Sequence, residues 1–408
     1  MDLPTSFSSL PPELVDKICR NSTLEKEDLI ALRLTSKSHG IHLSASKEFA
    51  KRYFTDISLI YSRYSLQTFA EVCRHSVFGS AVRKVQLSYA RFMPEFLGEE
   101  SKDLFERLRL GARSRGRFEY LDNIRLLVNR CDEEEDLQNS GDAEGLLAAA
   151  FTALCHWHHP LELVVSSSET RALGLNRVYS PNIMHSTHWK CHIFGTIALL
   201  CRAATLSRCV VQKLKIWGDI WDNLVDSSAD SLSVLAQLPE LELDTWCPSG
   251  PDTPHIPRLE NMVINMLNDA VSLKELHLGS LCVNRYHKCL RRIFLVLSTM
   301  KLEKLTLSGI DLDGFEPFLE KRIESLRHLE MDQCELWDGS LKNVLISVQE
   351  NLPRLEYFLV HGISRPWINQ KIELKGVQGV HDGINKLIQT RQIYLQDSEH
   401  DAWNSDGY

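Results

Sequence analysis

Cysteine and histidine gather in two stretches of the chain, Cys155-His156-Trp157-His158-His159 and His185-x-x-His188-x-x-Cys191-His192. Thiolate and imidazole are zinc ligands, and two such groups about 30 residues apart hold the donors for a tetrahedral site. Structural zinc sites pair their ligands more tightly, however, and histidines beside tryptophans such as Trp157 and Trp189 are more often surface or half-buried residues. The reading adopted is no metal and no other cofactor, with a zinc-dependent or thiol enzyme built on this cluster as the alternative. No phosphate loop, G-x-G-x-x-G, G-x-S-x-G or H-E-x-x-H occurs, so no nucleophile–base or cofactor motif points to catalysis. The chain reads as a non-enzyme.

Two further groups could bind something. Arg107, Arg109, Arg113, Arg115 and Arg117 crowd into a short stretch, which reads as a solvated loop or helix face and alternatively as a local basic patch. Trp217-Gly218-Asp219-Ile220-Trp221 offers an aromatic pair. Core packing is the preferred reading for it, and a ligand-facing hot spot is the alternative.

Composition narrows the class. Across 408 residues, 43% are hydrophobic and 25% charged, the balance of a soluble globular protein with a large core. A net charge of −8 argues against nucleic acid as the main ligand. Eleven cysteines, an odd number with no C-x-x-C among them, suit reduced and mostly buried thiols and hence a cytoplasmic or nuclear location. Residues 1–7 have no basic n-region or apolar h-region, and the longest apolar stretch, 193–206, is broken by Arg202. Neither a secretory signal nor a membrane span is expected.

The elements that must position any site come next. Residues 8–54 read as three short helices. The first opens at Leu10-Pro11-Pro12-Glu13 and carries the apolar stripe Leu14, Val15, Ile18, Cys19. The second starts near Lys26-Glu27-Asp28 and carries Leu29, Ile30, Leu32 and Leu34, and the third carries Leu43, Phe49, Ala50, Tyr53 and Phe54. So small a unit is marginal alone and would gain by docking.

From residue 55 a different pattern takes over. Ile57 to Tyr61 reads as a strand and Leu66 to Phe78 as a helix. A form apolar-x-x-apolar-x-apolar then recurs at Val82, Leu121, Val211, Leu238, Leu273, Leu302, Leu326 and Leu355. The central residues Leu214, Leu241, Leu276, Leu305, Leu329 and Phe358 step by 27, 35, 29, 24 and 29 residues. A leucine-rich repeat has a period of roughly 20–29, one strand and one helical piece per unit. The step of 35 is ascribed to the Pro/Gly-rich stretch 247–254. Helical stripes alternate with the strands: Leu259, Met262, Val263, Met266, Leu267, then Leu290, Ile293, Phe294, Leu297, then Leu341, Val344, Leu345, Val348. The stretch 127–210 is irregular. It reads as two units with a large insertion, with an exposed acidic loop at 132–142, a helix from Gly145 to Trp157, a strand at Leu161 to Val165, a long loop over 166–190, and a buried helix from Ile193 to Leu206.

The expected fold is α/β: residues 1–54 as a helical unit, 55–380 as an irregular leucine-rich-repeat solenoid with parallel strands and outer helices, and 381–408 as a C-terminal helix and polar tail. Side chains at the strands' x positions face away from the leucine core and can read a partner. Lys274, His277, Lys304 and Arg327 are the chosen candidates for a target protein, standing among Lys213, Lys215, Glu240, Glu242, Glu275 and Glu303. Signs that alternate in this way favour a specific protein over a uniformly charged polymer.

Residues 10–50 resemble the F-box, through Leu10-Pro11-x-Glu13-Leu14, Ile18, Asp28-Leu29-x-x-Leu32-Arg33-Leu34 and Lys37. Many members carry a tryptophan shortly after that lysine, where this chain has Ser38-His39-Gly40. An F-box followed by degenerate repeats is similar to the divergent fungal F-box proteins. The resemblance implies that Leu10, Pro11, Leu14, Val15, Ile18, Leu29, Leu32 and Lys37 bind the Skp adaptor of an SCF-type cullin–RING ubiquitin ligase, while the repeats hold a target. The alternative is a repeat scaffold with no ligase role, its N-terminal helices acting as a cap.

Overall fold

A computed structural model describes residues 11–35, 39–92, 118–166, 172–173, 189–191, 193–219, 233–246, 255–280, 289–310, 312, 315–319, 321–335, 341–363 and 371–389. Leu10, Lys37, the arginines at 107–117, His185, His188, His192, Trp221 and the stretch 247–254 lie outside these residues. The described chain is α/β with a mostly parallel arrangement of strands. It divides into two compact units, Met1–Lys190 with Arg202–Val211, and Cys191–Cys201 with Gln212–Tyr408. No division falls after residue 54: the three N-terminal helices share a unit with the first strands.

In the first unit, α1 (Pro12–Cys19), α2 (Lys26–Thr35) and α3 (His39–Tyr53) precede β1 (Asp56–Leu59), α4 (Arg63–Arg74) and β2 (Lys84–Ser88). The short β3 (Ala90–Phe92) pairs with β5 (Trp189–Cys191). Between them run α5 (Phe118–Ser140), α6 (Asp142–Cys155) and β4 (Leu161–Ser166). β1, β2 and β4 pair in parallel, with Ile57, Val85 and Leu163 in one register row and all buried.

Helix α5 corrects two expectations. The form Leu121-x-x-Ile124-x-Leu126 is not a strand, and 132–142 is not an exposed acidic loop; both fall largely in this helix. Leu121, Ile124 and Val128 also satisfy i, i+3, i+7, so a short apolar form could not separate the two periods. The acidic residues have definite work. Glu134 and Glu133 pair with the buried Arg130 at 2.8 and 3.3 Å, and Arg130 also donates to the Tyr61 carbonyl. Glu133 accepts the Arg63 backbone N–H at 2.9 Å, where negative charge meets the positive end of α4.

α7 (Ile193–Ser207) leads to the strands of the second unit: β6 (Val211–Asp219), β7 (Glu240–Trp246), β8 (Glu275–Gly279), β9 (Lys304–Ser308), β10 (His328–Asp332) and β11 (Tyr357–His361). All are parallel neighbours in chain order, and β12 (Ile372–Lys375) closes the series antiparallel to β11. Leu214, Leu241, Leu276, Leu305, Leu329 and Phe358 form one register row. Ile216, Leu243, Leu278, Leu307, Met331 and Val360 form the next, and every member of both rows is buried. At roughly 1.5–3 kcal/mol per buried side chain, these rows dominate the unit's stability.

The helices α8 (His255–Asp269), α9 (Cys289–Leu297), α10 (Glu316–Leu319), α11 (Leu341–Asn351) and α12 (Val377–Gln389) pack each on the next. Apart from Val211 and Gly279, the buried strand positions of this unit form one alternate set, and the helices cover that face. Step lengths follow from what fills them. The 35-residue step holds the fifteen-residue α8. Among its described residues the 24-residue step has only the single turn of α10, where Phe315 stacks at 5.1 Å on Phe318 and meets Phe294 at 5.0 Å. α12 begins at Val377, earlier than the expected tail, and buries Val380 and Ile384.

The strands share one exit. Ser280, Gly309, Gln333 and Gly362 follow β8, β9, β10 and β11, and each has φ between +50° and +65°. The left-handed turn carries the ladder one bond further: Ser280, Gly309 and Gln333 donate to the carbonyls of Ser308, Asp332 and His361 at 2.7, 2.9 and 2.8 Å.

Candidate functional site

Two surfaces carry the residues singled out by sequence, one in each unit. In the three-helix unit, Pro12 stands in the first turn of α1, where its missing N–H costs nothing. Asp28 accepts the Glu25 backbone N–H at 2.9 Å, half of a capping box that starts α2. Val15 and Cys19 pack on Ile41 and Ala45 of α3, with Leu32 partly covered beside them. Burial is the main reason the Cys19 thiol pKa is raised, with Asp16 and Glu48 adding to it.

Arg52, near the end of α3, locks this unit. Its guanidinium donates to the carbonyls of Leu24, Asn21 and Cys19 at 2.8, 3.0 and 3.2 Å and pairs with Glu48 at 2.7 Å. It thus satisfies the open carbonyls at the end of α1 and through the following turn. Nothing in the local sequence pattern marks it, because its partners lie about 30 residues away.

The proposed adaptor residues divide by burial. Val15 is 3% exposed and Leu29 is 0% exposed, so both hold the unit together and cannot reach a partner. Leu32 belongs mainly to the same core, and Ile18 is half-buried. Pro11 is exposed and Leu14 is 47% exposed. Two leucines outside that set are more open than most of it: Leu34, quoted in the F-box resemblance, at 78%, and Leu43, read only from helix periodicity, at 43%. The unit is also joined to Phe78, which follows α4. The Arg33 guanidinium lies 4.6 Å from the Phe49 ring and 5.0 Å from that of Phe78, and Phe54 stacks on Phe78 at 4.7 Å.

The second surface is the strand face that helices leave open. Its side chains stand in three register rows. The first runs Lys213, Glu240, Glu275, Lys304, His328, Tyr357, Lys375. The second runs Lys215, Glu242, His277, Thr306, Glu330, Leu359, Glu373. The third, at the carboxyl ends, runs Trp217, Asp244, Gly279, Ser308, Asp332, His361. A groove of about 560 Å³ lies on this face, lined from the first row by Lys213, Glu240, Glu275 and Lys304, from the second by Glu242, His277, Thr306 and Glu330, and from the third by Ser308, Asp332 and His361.

Ion pairs cross the strands. Lys213 meets Glu242 at 3.0 Å and Glu240 at 4.0 Å, and Lys215 also pairs with Glu242. Burial disfavours charge on Glu242, but the hydrogen bonds from Lys215 and Lys213 outweigh it and hold the carboxyl below its usual range. Burial lowers the pKa of His277 against the pull of Glu242 and Asp244. Gly279 is what brings these groups together: a Cβ there would stand 2.9 Å from an Asp244 carboxylate oxygen and 3.0 Å from His277 Nε2.

Of the four candidate target residues, His277 and Lys304 line the groove. Lys274 and Arg327 sit just before β8 and β10, at its rim. All three cations are paired: Lys274 with Glu303 at 3.1 Å, Lys304 with Glu330 at 3.6 Å, and Arg327 with Glu356. The rim is therefore self-neutralised. Trp217, expected in the core, is 52% exposed because the alternation of β6 turns Leu214 and Ile216 inward and Trp217 outward.

Ser308, Asp332 and His361 stand side by side, with His361 Nδ1 2.7 Å from Asp332 Oδ1. The carboxylate lies between the other two, two strand spacings separate imidazole from hydroxyl, and the order is not that of a nucleophile–base relay. In the first unit His156, His158 and His159 are exposed, while Cys155 donates to the Ser207 carbonyl at 3.5 Å. Among the described residues no three His, Cys, Asp or Glu side chains converge as a metal site, and no helix is long and apolar enough to cross a membrane. No protein-family model matches this chain, and no curated protein is similar to it.

Proposed function

We propose that this chain is a substrate-recognition subunit of an SCF-type cullin–RING ubiquitin ligase, in which the three N-terminal helices act as an F-box that docks the Skp adaptor and the strand–helix series acts as a leucine-rich-repeat body that holds a target protein. One observation carries the adaptor half: Leu14, Leu34 and Leu43, one on each helix, stay exposed although the unit already has a closed core of Val15, Cys19, Ile41 and Ala45. Several large apolar side chains left open on so small a unit are what a docking surface requires. The target half is supported by an open strand face of mixed polar residues above two continuous buried rows. On this reading the chain performs no chemistry itself and needs no metal or cofactor.

The test is co-purification of the full chain with a Skp adaptor. Leu14→Asp together with Leu34→Asp is expected to abolish capture, while circular dichroism and the thermal midpoint stay close to the parent, since neither side chain is in the core. Full capture by the double variant would remove the ligase reading. The cap reading keeps an observation of its own in the packing of Arg33, Phe49 and Phe54 on Phe78. The two roles rest on different side chains and are compatible.

A further inference from the structure

The open strand face is not uniform in charge along the strands. At the rim, Lys274, Glu303, Arg327 and Glu356 alternate. The first row mixes Lys213, Lys304 and Lys375 with Glu240 and Glu275. The two rows nearer the carboxyl ends hold Glu242, Glu330, Glu373, Asp244 and Asp332 against Lys215, with Lys371 on the flank of Glu373 at 3.3 Å. Counted by side chains, carboxylates outnumber cations in that direction, and Glu242, Glu330, Glu373 and Asp332 already have neighbours in Lys213 and Lys215, in Lys304, in Lys371 and Lys375, and in His361. The last row of the face has a definite form: Gly279 and Ser308 make a low floor, Asp244 and Asp332 stand on either side of it, and the exposed Trp217 and the half-buried His361 close the two ends.

We propose that this trough binds an extended basic segment of the target protein, lying across the strands with two lysine or arginine side chains four positions apart. The proposal rests on the reading of this face as the target site. Asp244 and Asp332 are three strand spacings apart, roughly 14 Å at about 4.8 Å each. An extended peptide covers that span in about four residues, and residues i and i+4 point to the same side. The two cations would reach Asp244 and Asp332, the backbone between them would pass over Gly279 and Ser308, and Trp217, whose ring already has Lys215 Nζ at 5.8 Å, would flank the cation at Asp244. An acidic segment or a nucleic acid would meet the same carboxylates as repulsion.

The test selects from a random peptide display library with the intact chain as bait. Peptides bearing Lys or Arg at i and i+4 are expected to be enriched. Their binding should fall at least about tenfold in the variant Asp244→Asn, Glu330→Gln, Asp332→Asn, and less than about twofold in Glu71→Gln, Asp136→Asn, Glu350→Gln, which removes equal charge elsewhere. Acidic or apolar selected peptides, no selectable peptide, or equal loss in both variants would overturn the proposal. Adaptor capture is measured on the same proteins. Loss of capture with intact peptide binding would sink the ligase reading alone, and intact capture without basic-peptide selection would sink the trough alone.

Discussion

Single side chains in this protein do work that their local sequence does not announce. Arg52 closes three carbonyls about 30 residues upstream, and Asp28 caps the helix it belongs to. His277 is the most consequential in the groove. Its pKa is depressed by burial, so the unfolded chain binds the proton more readily than the folded one. The stability this contributes is complete above the ordinary histidine pKa of about 6.5 and is lost as pH falls through that value toward the lower folded one. The urea midpoint is therefore expected to drop between about pH 7.5 and pH 5.5 in the parent, and to drop less in His277→Gln, which cannot take up the proton. Parallel slopes for the two proteins would show that His277 carries none of this dependence.

At the scale of elements, the recurring unit is a strand, a left-handed exit and a helical return. The exit makes opposite predictions at neighbouring strands. Gly362 has φ of +65°, and a Cβ there would meet Gln333 Cγ at 3.3 Å. Gly362→Ala should cost about 1–2 kcal/mol, whereas Gln333→Gly, at φ of +50°, should be neutral or gain up to about 1 kcal/mol. Urea denaturation of both variants measures the pair, and a shift in the same direction would refute the role given to the exit. Half of these exits were invisible in the sequence because serine and glutamine occupy two of them. The strands were legible where the six-residue form was followed by a helical stripe, as at Leu241, Leu276 and Leu329, and the form alone marked those at Leu305 and Phe358. The same form at Leu121 misled, since its spacing also fits the helix that forms there. Strand β12, four residues alternating without a buried position, gave no period to read. Among the site residues, outward placement of Lys304 and His277 followed from strand period alone. The burial of Val15 and Leu29 did not, because which face of a short helix meets its neighbours depends on α3 and not on the stripe itself.

For the whole molecule, the two surfaces make separable demands on the chain, and the cleanest way to separate them is not truncation. The three helices belong to the same compact unit as β1, β2 and β4. Removing residues 1–54 would strip Phe49 and Phe54 from Phe78, take the Arg33 guanidinium off that ring, and leave β1 starting at a raw chain end. Aromatic pairs contribute about 0.5–1.5 kcal/mol each beyond their buried area, so several such losses are a large part of an ordinary domain's margin. The truncated chain is expected to show a lower thermal midpoint and a partly aggregated profile by size-exclusion chromatography, and hence a confounded loss of every binding activity. The Leu14→Asp and Leu34→Asp double variant should keep both the midpoint and the monodisperse profile of the parent. A truncated chain that runs monodisperse with an unchanged midpoint would mean that the helices are a detachable module, and the capping contribution of Phe49 and Phe54 would have to be abandoned.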